Sequence, residues 1–451
     1  MENIQILRDY GLFDAKVPRY TSYPPANRFE PNIGARMQPG WLGALPRQAP
    51  VSIYVHIPFC RRLCWFCACR TQGTQTLSPV DAYIGDVTTE IGLVAGRLPS
   101  GMQMARLHLG GGTPTLLSPA QMTQLLDAIH RHFTPTTDFE FSVEIDPTEA
   151  APAVLEVLAE RGMQRASIGI QDFDPKVQNA IGRLQSCDQT RDVIDVLRTN
   201  GVDSLNVDLL YGLPFQNEVS LLKTLEHVGQ LRPDRVALYG YAHVPHMSKR
   251  QTMIPGDALP STIERFEMAQ TAKRSLEFEG YHTIGIDHFG LATDSLTKAA
   301  QTGKLRRNFQ GYTDDPCETL LGFGASAISK VKQGYWQNAV ATAAYQTRVR
   351  EDRLAGHKGY VLQPNDELIA DVVEQLMCQS ALDVGQLKSR HPQFDNEIEV
   401  LVRQLDCSFP KAFEHTRHKM SLGPGMEALA RVAAAAVDTA LCPEHKHSVA
   451  I

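Results

Sequence analysis

An α/β fold built on a parallel sheet is the architecture this sequence predicts, on three observations. Short apolar runs rich in Val, Ile and Leu recur between residues 51 and 286. Stretches with apolar residues three and four apart separate most of them, and glycine and polar residues gather where the runs end. Repeated strand–helix units of this kind imply right-handed crossovers and a site at the carboxyl ends of the strands. Periodicity does not say whether the sheet closes.

Taken in order, residues 1–50 carry little periodicity and several prolines and read as an arm on the main body. Its segment Pro18-Arg19-Tyr20-Thr21-Ser22-Tyr23-Pro24 is stiffened by the flanking prolines, which suits either surface packing or the covering of a site. Strands are expected at Val51–Ile57, Met104–Leu109, Phe139–Ile145, Arg165–Ile170, Ser204–Leu210, Arg235–Tyr239 and Tyr281–Ile286. Helices are expected at Val80–Leu98, Ala120–Phe133, Ala153–Arg161, Asp188–Thr199 and Val219–Leu231. The basic and aromatic stretch Lys304 to Tyr312 suits a solvated face or the grip of a carboxylate-rich ligand. Residues 51–362 thus make the α/β body and its extension. From residue 363 the alternation stops, and helices at Asn365–Cys378, Val384–Arg390, Glu397–Leu405 and Met426–Leu441 read as a small helical domain over 363–451. Cys442, His445 and His447 suit either a frayed tail or the binding of a metal.

Composition excludes several classes. Of 451 residues, 43% are hydrophobic and 21% charged, which supports a normal core and leaves no case for extended disorder. No apolar run reaches the roughly 18 residues that span a bilayer, and Met1-Glu2-Asn3-Ile4 is no secretory leader, so a cytoplasmic chain without a membrane partner is expected. A net charge of -6 gives no footprint for nucleic acid; an acidic ligand would need a local basic pocket. A reducing compartment also suits the scattered thiols Cys187, Cys317, Cys378, Cys407 and Cys442.

The chemistry concentrates after the first predicted strand. Pro58 stops it, and Cys60, Cys64, Cys67 and Cys69 follow within ten residues. The C-x3-C-x2-C set brings three thiolates together and leaves the fourth corner of a cubane cluster without a protein ligand. A structural zinc knot completed by His56 or Cys69 is the alternative, although zinc ordinarily takes paired C-x2-C or His spacings. One unit later, Gly110-Gly111-Gly112-Thr113 lets backbone N–H groups converge on a ligand, or makes a tight turn. The next strands end in Glu144, Gln171 and Asp208, which serve either as ligand contacts or as loop hydrogen-bonding groups.

The cysteine spacing just after a first strand resembles the radical S-adenosylmethionine (SAM) superfamily. Together with the arm, the glycine run, the stretch Asn308-Phe309-Gln310-Gly311-Tyr312 and the helical tail, it resembles the oxygen-independent coproporphyrinogen III oxidases. That resemblance implies an incomplete (β/α)6 TIM-like barrel followed by a helical domain. It also implies an oxidoreductase of haem synthesis that converts two propionates of coproporphyrinogen III to vinyl groups, giving protoporphyrinogen IX. The implied cofactors are one [4Fe-4S] cluster on Cys60, Cys64 and Cys67 and two SAM molecules. Tyr54, Gly111, Glu144 and Ile328 would contact the first SAM, and Phe66, Gly112, Thr113, Gln171, Arg183, Asp208 and Ala242 the second. Arg19, Tyr20, Tyr23 and Gln310 would serve the substrate end. The expected partners are that substrate and an electron donor and acceptor, with the chain acting as a monomer.

Cys69 is expected beside the cluster and not on it, because a fourth protein ligand would keep SAM off the open iron. Thr148 departs from the family pattern, in which arginine is common after the Asp-Pro pair. Two rival readings are a haem-binding protein on the same scaffold, whose members generally lack the arm and the fourth cysteine, and a zinc-stabilised interaction module.

Overall fold

The computed structural model describes residues 2–438 and 448–451. Cys442, His445 and His447 lie outside the described residues, as does the end of the helix expected at Met426–Leu441. The body is organised by six parallel strands that pair in chain order: β1 (Val51–Ile57), β2 (Gln103–Gly111), β3 (Thr134–Ile145), β4 (Arg165–Gln171), β5 (Ser204–Tyr211) and β6 (Arg235–Gly240). The helices Ser78–Ala95, Pro119–His132, Pro152–Glu160, Cys187–Thr199 and Glu218–Leu231 fill the five crossovers. Three start where the sequence supplies a cap. Ser118 with Gln121 and Asn217 with Ser220 satisfy each other's backbone N–H groups, and Ser186 accepts from the Gln189 N–H.

Beyond these six, the sheet is mixed and reaches thirteen strands. Thr319–Phe323 pairs parallel to β1, and Ile328–Val331, Gly334–Asn338, Gly356–Val361 and the two-residue strand Glu30–Pro31 continue antiparallel from it. On the other side, the run expected as a seventh repeat is only His282–Ile284. It forms a hairpin with His288–Gly290, and the hairpin lies antiparallel to β6. The turn passes through Gly285 at a φ of 58°, where the Tyr312 ring leaves no room for a side chain. The helix Thr262–Phe278 returns the chain so that His282–Ile284 runs in the direction of β6, but His288–Gly290 takes the place beside β6, and the parallel series ends there.

Residues 1–50 contain two helices that weak periodicity concealed, Glu2–Asp9 and Ile33–Gly43. The second carries Gly34, Pro39 and Gly40, poor helix formers that tertiary packing overrides. A Cβ at Gly34 would collide with the Lys358 carbonyl, and Gln38 Oε1 accepts the Gly356 N–H at 2.9 Å. Leu7, Leu12 and Phe13 share a core with Leu368, Leu376, Leu405 and Ala433 of the C-terminal helices. That region also contains a three-stranded antiparallel sheet (Ala381–Asp383, Phe413–His415, Lys419–Leu422) that was not expected, its strands being only three or four residues long.

Period-two alternation separates two environments along the six strands. Ile53, Val55, Leu107, Leu109, Phe141, Val143, Ile168 and Val207 belong to the main apolar core. Ser52, Arg106, His108, Glu140, Ser142, Glu144, Arg165, Ser167, Asn206 and Arg235 line a cavity on the other face. Each buried aliphatic side chain of the first set contributes about 1.5–3 kcal/mol.

One acid ties a crossover helix to the antiparallel extension. Glu90 of Ser78–Ala95 is fully buried; Oε2 accepts from the Gly324 N–H at 2.8 Å and the Tyr345 hydroxyl at 2.7 Å, and Oε1 from Asn338 Nδ2 at 2.7 Å. Burial outweighs these donors and lifts the carboxyl from 4.5 to about 7. The folded chain therefore keeps a proton that the unfolded chain has released, and this part of the stability is lost as pH rises from 4.5 to about 7. We expect wild type to lose up to about 3 kcal/mol relative to Glu90→Gln between pH 5 and pH 8 in urea unfolding; a difference that does not change with pH would refute this account.

Candidate active site

The cavity, about 480 Å3, runs along the inner face of β1 to β6 from residues near their amino ends such as Arg165 and Arg235 to the carboxyl ends, where all four cysteines of the loop after β1 line it. The loop closes on itself where Phe59–Cys60 pairs parallel to Gln72–Gly73, and it is also held by its neighbours. Gly112 donates its N–H to the Ile57 carbonyl and Thr113 to the Phe59 carbonyl, both at 2.8 Å. Trp65 N–H bonds to the Ile181 carbonyl at 2.9 Å, Ser248 Oγ to the Cys67 carbonyl at 3.0 Å, and Gln251 Nε2 to the Phe66 carbonyl at 2.8 Å. The glycine run is demanded by this contact. Gly111 has a φ of 113° and abuts the His56 ring, and a Cβ at Gly112 would meet the Phe59 carbonyl.

Electrostatics distinguish the thiols. Burial pushes Cys60 up to about 11. Hydrogen bonding from Cys69, whose N–H lies 3.4 Å from Cys67 Sγ, pulls Cys67 down to about 6, with help from Arg250 and Arg183. Cys69, the donor of that pair, is raised. Arg183 Nη1 lies 3.5 Å from Cys64 Sγ and 2.9 Å from Asp146 Oδ2, while Nη2 donates to the Gly169 carbonyl at 2.7 Å. Among the described residues, no three His, Cys, Asp or Glu side chains are arranged as ligands of a metal ion. The donor chemistry nevertheless fits an iron–sulfur group: several thiols on one loop, cations beside them, and a cavity in front.

The polar ends of the strands are held by specific donors. Glu144 Oε2 accepts the Gly111 N–H at 2.9 Å, and Oε1 lies 3.4 Å from His108 Nε2. Burial pushes this carboxyl up, but His108 and Gly111 outweigh it and leave it below its ordinary value. His108 Nδ1 pairs with Ser142 Oγ at 2.7 Å, and its ring stacks on Tyr54. Asp208 accepts from Ser167 Oγ and Asn206 Nδ2, each at 2.9 Å, and burial raises it. Asp146, which anchors Arg183, accepts the Thr148 N–H and hydroxyl at 3.0 and 2.8 Å. The departure at Thr148 thus serves to hold that acid.

Of the residues singled out in the sequence, Cys60, Cys64, Cys67, Phe66, Gly111, Gly112, Thr113, Glu144, Gln171, Arg183, Asp208 and Gln310 all line this cavity. Tyr54 lies beside it, its hydroxyl 2.8 Å from His56 Nδ1. Ile328 begins the strand Ile328–Val331 and is not among the residues that line the cavity. Ala242 and Arg19 line a neighbouring cavity, where Arg19 Nη2 donates to the Gly240 carbonyl at 2.8 Å. Tyr20 and Tyr23 turn inward, and both hydroxyls donate to Asp438. Arg307 is half-buried over the Tyr312 ring, whereas Lys304 is exposed.

Sequence reasoning missed His108 and the floor formed by Arg106, Arg165 and Arg235. Arg165 pairs with Glu140 at 2.8 Å and Arg235 with Asp294 at 2.7 Å. A polar residue at every second position of β2 and β3 was the available signal; only the strand ends were read for it.

Comparison with known proteins agrees with this geometry. Residues 54–228 match the model of the radical SAM superfamily. The chain is 50% identical, over the full length of both, to the anaerobic coproporphyrinogen III oxidase 1 of Cereibacter sphaeroides. It is 44% identical, again over both full lengths, to the oxygen-independent coproporphyrinogen III oxidase of Paracoccus denitrificans. The crystal structure of the Escherichia coli coproporphyrinogen III oxidase, a radical SAM enzyme, superimposes with a TM-score of 0.89 at 33% identity, covering 95% of this chain and 100% of the other. With relatives this similar along its whole length, and with the cysteine loop hung on the glycine run as described, the chain belongs to the oxygen-independent coproporphyrinogen III oxidase family of radical SAM proteins.

Proposed function

We propose that this chain oxidises coproporphyrinogen III in haem synthesis, removing carbon dioxide from two propionates to leave vinyl groups and protoporphyrinogen IX. The observation that carries the reading is the four-cysteine loop, pinned by the glycine run and opening into a polar cavity at the strand ends. We read the six parallel strands as an incomplete (β/α)6 barrel, preceded by an arm over 1–50 and followed by a helical domain over 363–451.

Cys60, Cys64 and Cys67 would hold a [4Fe-4S] cluster, with Cys69 kept beside it as a hydrogen-bond donor to Cys67. When bound, that cluster and SAM supply the 5'-deoxyadenosyl radical that removes hydrogen from a propionate carbon. The chain's own residues orient and shield. Glu144, kept ionised by His108 and Gly111, is placed to accept hydrogen bonds from an amine, and the glycine run keeps backbone close to it. Asp208, Gln171, Arg183, Phe66, Gly112 and Thr113 offer polar and aromatic contacts for a second SAM across the same cavity, with Ala242 at its rim. Arg183 also positions the loop, through Nη1 to Cys64 and Asp146 and Nη2 to Gly169, and its buried Nε has no hydrogen-bond partner among the described residues. Tyr54 and Ile328 would support the first SAM from behind, and Arg19, Tyr20 and Gln310 the substrate end. Enclosure keeps water and stray hydrogen donors from the radical.

A reducing cytoplasm and an external electron donor and acceptor suit this chemistry, since the cluster is oxygen-sensitive. No helix among the described residues is long and apolar enough to cross a membrane.

Anaerobically reconstituted protein given reductant, SAM and coproporphyrinogen III should release 5'-deoxyadenosine, carbon dioxide and protoporphyrinogen IX; absence of all three sinks the proposal. Iron and sulfide analysis should show loss of the cluster in Cys60→Ala, Cys64→Ala and Cys67→Ala and its retention in Cys69→Ser. Loss in the last would make Cys69 a ligand. Glu144→Gln should keep its iron and raise the KM for SAM by about tenfold or more, the worth of a charge-assisted hydrogen bond; an unchanged KM would remove Glu144 from the SAM site.

A further inference from the structure

Two cavities meet at the carboxyl end of β6. Tyr239 lines the cysteine cavity and Gly240 the other; His288 and Asp287, joined by a 2.7 Å hydrogen bond, are divided in the same way. The second cavity is the larger, at about 950 Å3. Four arginines enter it from four places: Arg19 of the arm, Arg265 of the helix Thr262–Phe278, Arg307 of the strand Arg306–Asn308 and Arg431 of the helix Ala430–Val437.

Their hydrogen bonds run to backbone carbonyls. Arg19 Nη2 reaches Gly240 and Arg265 Nη2 reaches Tyr241, each at 2.8 Å. Arg307 Nε and Nη2 reach Tyr20 and Arg19 at 3.1 and 3.3 Å, and Arg431 Nη2 reaches Val17 at 3.0 Å. A carbonyl satisfies an N–H but carries no net charge, so the four guanidinium charges remain uncancelled by these bonds. Burial, with repulsion from Arg19 and Arg307, lowers Arg431 to about 10. The acids on the lining are fewer than the cations: Asp287, Glu277 and Glu427 face these arginines together with Lys273 and Lys419. Glu277 lies 3.9 Å from Lys273, and Asp287 is already engaged by His288. Two guanidinium nitrogens, Arg265 Nε and Arg307 Nη1, are buried with no hydrogen-bond partner. Gathering like charges in a cavity is unfavourable until an anion neutralises them, and guanidinium forks match carboxylates.

We propose that this second cavity docks the carboxylates of the tetrapyrrole that are not reacting, so that the arginines decide which propionate faces the cysteine cavity. The inference rests on the proposed function, because that substrate carries four propionates and presents them one at a time to the radical. Substrate specificity then lies in charge recognition on the far side of β6, outside the cofactor pocket.

Equilibrium dialysis of the anaerobic holoenzyme against coproporphyrin III, the stable tetracarboxylate, and against its tetramethyl ester tests this. Arg265→Gln and Arg19→Gln should each weaken binding of the acid by about tenfold or more, and raise the KM for coproporphyrinogen III in step. The ester should bind weakly to wild type and be indifferent to both substitutions. Arg265→Lys, which keeps the charge and much of the packing, should restore most of the acid's binding, and so separates charge loss from misfolding. Equal binding of acid and ester, or acid binding unchanged in both Gln variants, would overturn the assignment even in an enzyme that makes vinyl product. Loss of acid binding in variants of a protein that makes no vinyl product would support the carboxylate site while rejecting the reaction.

Discussion

The site depends on the alternation along six parallel strands. Apolar side chains on one face join the core, while the opposite face carries Arg, Glu, Ser, His and Asn at register positions such as Ser142 opposite Arg165, Glu144 opposite Ser167, and Asn206 opposite Arg235. Barrel interiors are commonly filled by layers of branched apolar residues. Here the interior is lined by groups that satisfy one another at the walls, and the space between them stays open. An open cavity is what remains when a sheet surrounds side chains that hold each other in place.

On that wall the cysteine loop is positioned by backbone contacts and by its own Arg61 and Arg62, which pair with Glu149 at 3.2 Å and the Leu184 carbonyl at 2.8 Å. Glycine at 111 and 112 lets the second strand approach the first closely enough for two N–H groups to reach the Ile57 and Phe59 carbonyls, and the same run presents an N–H to Glu144. Loop and carboxylate are thus held by one short segment, which couples the place where a cluster would sit to the place where an amine would bind. Arg183 extends the coupling by touching Cys64 and Asp146 together.

The two cavities differ in charge. The first pairs Arg165 with Glu140 on the neighbouring strand and Arg235 with Asp294 at the start of the helix Ser295–Gln301, leaving a polar and nearly neutral wall. The second binds its arginines to carbonyls and keeps their charge. Tyr239, Asp287 and His288 form the partition between them.

Much of this was legible in the chain. The strand–helix alternation, the cysteine spacing and the glycine run are local patterns, and a side chain's period or a loop's composition is set by residues a few positions apart. The polar inner face was only half read, because His108 and Arg165 look like interruptions of apolar strands until one knows that their faces close around a common space. The run after β6 keeps the direction of β6 but not its place beside it, because the three-residue strand His288–Gly290, too short to show a period, pairs between them. The arginine cavity was beyond reach: Arg19 and Arg431 stand at opposite ends of the chain, and nothing in their neighbours marks them as companions. Local pattern determined the elements and the cysteine loop, whereas the convergence of four distant cations was decided only when the N-terminal residues and the C-terminal helices packed into one core, because long-range charge clustering has no period in sequence.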